Sequence, residues 1–189
     1  MTLHYFKEFN YYTEITGFKQ INPTQATNYL KNNRKIDPQN IWIQFFNSNL
    51  IATHKHLYFA ILNTLNTFKH HTTHSKSMAM ETLLYTAAQH QIQKAIQTIG
   101  LKPDTTNIAV TILAKKPQQI KSTLADLSDN LQTTPCETVL DLTQTKINQI
   151  KQTFNITNQM IETITKNKET NTTLVDLVIE KIALMATKI

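Results

Sequence analysis

Apolar residues along this chain repeat in two rhythms: short aromatic and β-branched runs near the start, and longer stretches of helical spacing after them. Leu3 to Phe9 and Tyr12 to Phe18 are of the first kind and predict extended structure, with Gly17 as the turn signal that ends it. Asn22-Pro23 predicts a helix start, with Asn as cap and Pro in the first turn. Ala26, Tyr29 and Leu30 follow at helical spacing, and Asp37-Pro38 is the expected stop. Ile41 to Phe46 is a compact apolar run that predicts a buried strand. Thr53 predicts the next N-cap, after which Leu57, Ala60, Ile61, Leu65 and Phe68 keep one helix face apolar. His70 to Ser77 has no apolar residue and predicts a solvated loop. A helix resumes through Met80, Leu83, Leu84 and Ala87, and the pattern breaks at Gln89-His90-Gln91. Ile92, Ala95, Ile96 and Ile99 then set up another helix, which Gly100 is expected to close by adopting positive φ.

Asn107 to Leu113 predicts the clearest strand, and Lys116-Pro117 opens a helix carried by Ile120, Leu124 and Leu127. Glu137 to Leu142 predicts a further strand. The rest reads as helix: Ile147, Ile150 and Phe154, then Met160, Ile161 and Ile164, then Leu174 onward. A chain of 189 residues without internal repeats or a long linker predicts a single domain over 1–189. Its fold class is α+β (mixed α/β), a small, mostly antiparallel sheet covered by several helices. Residues 1–50 supply strands and one helix, 51–102 a basic helical region, and 103–189 a strand followed by C-terminal helices.

Charge changes the picture in the middle of the chain. Residues 54–102 hold five lysines and six histidines against one acid, Glu81, and so carry most of the net charge of +6. A local excess of this kind fits an anionic partner, most often nucleic acid, or else a lysine-rich surface that binds nothing. Catalytic apparatus is missing. Two glycines in the whole chain exclude both G-x-x-x-x-G-K-[ST] and G-x-G-x-x-G phosphate turns, and there is no H-E-x-x-H motif. No cofactor, metal or small-molecule substrate is expected. His54 and His56 point about 200° apart on a helix and cannot chelate together. His70, His71 and His74 have no acid or cysteine close by in sequence. The single cysteine, Cys136, lies between Pro135 and Glu137 with no basic neighbour in sequence, which predicts an inert thiol and agrees with a reducing cytoplasm. No apolar stretch is long enough to cross a membrane, and Met1 to Lys7 lacks the order of a signal peptide.

Five segments resemble one family. Thr53-His54-Lys55-His56-Leu57 with Ala60 resembles its S-x-x-H-L-x-x-A helix start. Lys76 to Tyr85 (KSMAMETLLY) resembles its S-L-S-x-E-I-L-L-Y helix. Gln89-His90-Gln91-Ile92, with Ala95-Ile96 and Gly100, resembles its G-Q-R-Q-I-x-x-A-I-x-x-x-G segment. Lys146-Ile147 with Phe154 to Thr157, and the ending Ile182 to Met185, resemble its C-terminal helices. The family is the small accessory subunit of the KEOPS complex, known in humans as TPRKB, the PRPK-binding protein; archaeal members look most similar. Two positions depart from its pattern: His90 stands where a basic residue is usual, and Ala88 where glycine is usual.

The resemblance implies a subunit without a catalytic centre. It implies binding to the N-terminal lobe of the complex's kinase-like ATPase subunit and capture of the single-stranded tRNA 3′ CCA end. Chemistry then occurs on another subunit, which transfers a threonylcarbamoyl group to the adenosine beside the anticodon. On that footing the expected RNA contacts are Lys55, His56, Lys76, Gln89, His90, Gln91 and Lys94, cations for phosphates and amides for base edges. Tyr58 and Tyr85 are candidates for stacking. The expected partner contact is the last helix, apolar almost all round, through Leu174, Val178, Ile182 and Met185; the alternative is a core helix enclosed by its own chain. A helical adaptor or kinase regulator without RNA binding is the competing function, and a metal enzyme built on the histidine loop the third.

Overall fold

In a computed structural model, residues 3–34, 41–165 and 169–187 are described. Among them are four strands, β1 (His4–Phe6), β2 (Tyr11–Phe18), β3 (Trp42–Asn47) and β4 (Ile108–Ala114). Eight helices accompany them: α1 (Pro23–Arg34), α2 (His54–His70), α3 (Met78–Thr86), α4 (Ile92–Ile99), α5 (Pro117–Leu131), α6 (Gln144–Thr153), α7 (Asn158–Ile164) and α8 (Thr170–Thr187). The sheet order is β1-β2-β4-β3 and every neighbouring pair is antiparallel, so the expected α+β single domain is the observed one.

Strand alternation divides the core into two layers. Ile108, Val110, Ile112 and Ala114 of β4 turn to one face, where Ile43 and Phe45 of β3 join them under α1 and α5. Ala109 and Leu113 turn to the other face, against α2, α3, α4 and the end of α8. Both faces are covered, which is why β4 reads as a nearly continuous apolar run, interrupted only by the buried Thr111, rather than an alternating one. A third cluster joins α6 and α7 to the first half of α8 through Ile150, Phe154, Ile161, Leu174 and Val178. Several expected caps are present: Asn22 Oδ1 accepts from Thr24 N at 2.9 Å, and Thr53 Oγ1 from Lys55 N at 3.2 Å.

The last helix corrects the sequence reading. Leu174 and Val178 lie in the α6–α7 cluster, Ile182 and Met185 in the sheet-side cluster, and none of the four exposes more than 3% of its surface. α8 is apolar on several sides because it forms the seam between two cores, not because a second protein must cover it. These four residues are core, enclosed by their own chain.

Other corrections concern glycine and Glu137 to Leu142. Gly17 is inside β2 rather than at its end, and a Cβ there would meet Ile108 O and Val139 Cβ, both at 2.8 Å. Val139 belongs to a 3-10 turn, Glu137–Leu140, that presses on the strand where a further strand was expected. Gly100 ends α4 with φ −68°, not positive φ; it is glycine because a Cβ would lie 2.4 Å from Ile96 O. The stop at Asp37-Pro38 falls outside the described residues. Among the described residues, no helix is long and apolar enough to cross a membrane.

Candidate functional site

The turn between α3 and α4 is built by backbone geometry. Ala88 adopts left-handed φ of 49°, its N–H donates to Tyr85 O at 2.9 Å, and the Gln89 N–H donates to Leu84 O at 3.0 Å. This paired closure is the Schellman arrangement, which glycine enters without the Cβ penalty that alanine bears. Gln91 then occupies the N-cap position of α4, but its side chain makes no capping bond and the residue is exposed. Its amide is therefore available to donate and accept outward.

His90, exposed at the middle of the turn, is held by a chain of three side chains. Glu81 is fully buried; its carboxylate accepts the backbone N–H of His74 at 3.1 and 3.2 Å and of Ser75 at 2.7 Å. The same carboxylate meets His74 Nδ1 at 3.1 Å, and His74 Nε2 lies 3.0 Å from His90 Nδ1. The His70–Ser77 segment is thus a loop pinned from α3, not a merely solvated one. Its acid lies seven residues from His74, a separation that hides the pairing until the loop folds back over the first turn of α3. The acid of residues 54–102 is spent inside the protein, and their cations are left without one of their own segment at the surface.

Gln89 and His90 line a depression of about 280 Å³ closed by Asn155 at the end of α6 and by Lys181 and Leu184 on α8. Lys181 was missed in the sequence, where it is a single cation within an apolar stretch. Of the other expected contacts, Lys76 is exposed in the pinned loop and Lys94 on the outer face of α4. Lys55 is exposed too, but it lines a second depression of about 780 Å³ between α2 and α8, with His54, Tyr58, Phe59, Ile179 and Glu180. There His4 Nε2 and His54 Nε2 lie 2.9 Å apart, and burial lowers the pKa of both rings.

His56 is the exception among the expected RNA contacts. It is fully buried, its Nδ1 accepts from Ala52 N at 3.2 Å, and its Nε2–H donates to Thr86 O at 2.9 Å. Both ring nitrogens are used, and burial pushes the pKa down to about 4, so the ring is neutral. It pins the start of α2 to the end of α3, with its ring and that of Phe154 edge to face at 5.5 Å between centroids, and touches no solvent. Lys146, which the sequence marked only by its resemblance to the family's C-terminal helices, is buried nearby with Nζ donating to Val139 O at 3.0 Å; desolvation lowers its pKa to about 8. Tyr85 is likewise buried and cannot stack on a base, whereas Tyr58 is half-buried. Cys136 does gain a basic neighbour by folding. Its pKa is lowered first by the hydrogen bond with Thr138, with Lys19 adding to the effect.

No curated protein matches the chain. A family model described as kinase binding protein CGI-121 matches residues 18–186, a span that takes in the last residue of β2, the turn that presents His90, and α8 almost to its end. The chain therefore belongs to the kinase binding protein CGI-121 family.

Proposed function

We propose that this protein is a non-catalytic KEOPS subunit that binds the kinase-like ATPase subunit and the tRNA 3′ CCA end, in support of threonylcarbamoyladenosine formation. The family carries the kinase partner. The RNA reading rests chiefly on one observation: in the segment with five lysines and six histidines, the single acid is buried and fully engaged. Beside it, the α3–α4 turn offers the amides of Gln89 and Gln91 and the ring of His90, with Lys76, Lys94 and Lys181 as cations around them. Amides suit exposed base edges, and cations suit the phosphates of a single-stranded tail.

The kinase contact moves from the buried stripe of α8 to its outward side. The groove between α2 and α8, with Tyr58, Phe59 and Ile179 between Lys55 and Glu180, offers apolar area rimmed by charge, as protein interfaces do. The deciding experiment compares binding of intact tRNA and of tRNA trimmed of its 3′ CCA, each at physiological salt. Trimming should weaken binding by at least about tenfold, since stacking and edge contacts contribute per base. Equal binding of both would remove the CCA reading. No retardation of either would leave the adaptor without RNA.

A further inference from the structure

The Glu81–His74–His90 chain determines more than the position of a ring. The Glu81 carboxylate takes two backbone N–H groups, so the geometry uses its oxygens as acceptors. His74 Nδ1 must then carry a hydrogen and donate it to Glu81. While His74 is uncharged its Nε2 is bare, so the 3.0 Å contact requires His90 Nδ1 to donate. An uncharged His90 is left with a bare Nε2 on the far side of its ring, where the residue is exposed. The outward atom of the turn is therefore an acceptor. One added proton reverses this wherever it lands. On His90 it makes Nε2–H directly. On His74 it makes Nε2–H donate to His90 Nδ1, which transfers the His90 hydrogen to its own Nε2.

We propose that Glu81 and His74 are positioning residues that set which RNA group His90 takes. In the uncharged chain His90 accepts from a base amine or a ribose 2′-hydroxyl; with one proton added it donates to a phosphate oxygen. Arginine, usual at this position in the family's pattern, can only donate. The proposal rests on the RNA reading above and deepens it. The charged groups facing His90 are His74 from the loop and Lys181 from α8, with Lys76 in the same loop and Glu81 behind His74. The α6 end contributes Thr153 and Asn155, which do not titrate.

Two measurements on the full chain test this. Nitrogen-15 NMR of the imidazoles at pH 7.5 reads the tautomers without RNA. His74 and His90 should both be Nδ1–H, and His74→Phe should return His90 to the Nε2–H form that free imidazole favours. A short labelled RNA ending in CCA should bind roughly tenfold more tightly at pH 5.5 than at 7.5, because the outward atom changes from an acceptor, which a phosphate oxygen repels, to a charged donor. His90→Gln should flatten that response. His74→Phe should reduce it to less than about threefold, because its outward atom donates at both pH values and gains only charge. If the phenylalanine variant does not fold, His74→Asn replaces it. An Nε2–H tautomer on His90 in the parent, or the same pH response with and without His74, overturns the proposal. Absence of RNA binding by every variant at every pH removes the RNA reading and the recognition role with it, while the NMR separately decides the tautomer.

Discussion

The buried seam of α8 and the exposed α3–α4 turn began as equivalent candidates, each picked for residue types that suit a partner. They fold to opposite sides of the surface. Val178 and Ile182 lie inside, shared between two core clusters, while His90, Gln91 and Lys94 stand outside on a turn fixed by its own backbone. His56 lies within the same basic segment as His90, yet is as buried as the seam. Residue type alone does not separate a contact from a support. The number of neighbouring elements that converge on a position does.

The largest effect expected from this contrast is at the seam. Val178→Glu should destabilise the fold by about 4 kcal/mol or more, because it places an unpaired charge in an apolar core. Urea denaturation measures the loss. A stably folded variant that loses only kinase binding would instead put the seam at the interface.

Next comes the support. His56→Ala should cost about 3 kcal/mol, since it leaves Ala52 N–H and Thr86 C=O without their partner and opens a cavity beside Phe154. The same ring gives a pH signature. Its folded pKa of about 4 lies below the unfolded value of 6.5, so the native state favours the neutral form. That contribution is fully present above pH 6.5 and is lost as pH falls toward 4, about 3 kcal/mol in all. Stability measured across that range should be flatter in His56→Ala than in the parent; matching slopes would show that another group governs acid unfolding.

The turn itself should respond in the opposite direction. Ala88→Gly should stabilise by roughly 0.5–1 kcal/mol, because glycine meets no Cβ penalty at φ 49° and the gain exceeds its cost in unfolded-state entropy. A melting temperature below the parent's would mean that the alanine methyl contributes packing that outweighs its backbone strain. The smallest change in stability belongs to the outer cations. Lys76→Glu and Lys94→Glu should leave stability within about 0.5 kcal/mol. Each should lower the salt slope of tRNA binding by roughly one unit. An unaltered slope in both variants would move the phosphate path off the turn.

Much of the fold was legible along the chain. The N-caps at Asn22 and Thr53, the apolar faces of α2 and α5, and the buried run of β4 follow from local propensity and spacing, which act over a few residues; of the α4 face only Ala95 and Ile99 are buried, while Ile92 and Ile96 stand exposed. The break at Gln89-His90-Gln91 was legible for the same reason, though the left-handed Ala88 behind it was marked only by the glycine usual there in the family's pattern. Gly17 and Glu137 to Leu142 were misread together: the glycine makes room for Val139, more than a hundred residues further along the chain, and no local rule registers such a contact.

Sequence by itself determined most of the elements that form, the basic character of residues 54–102 and the absence of a nucleotide loop, because these depend on side-chain identity and short-range backbone preference. Tertiary structure alone decided which apolar and which basic residues remain outside. Burial is settled by how many elements converge on a position, as α6, α7 and the sheet-side helices do on α8. It also decided the chemistry of the histidines. His56 between Ala52 N and Thr86 O, and His74 between Glu81 and His90, differ in no way that their residue type records. A ring's proton is assigned by the acceptors and donors packed against it, and those come from other parts of the chain.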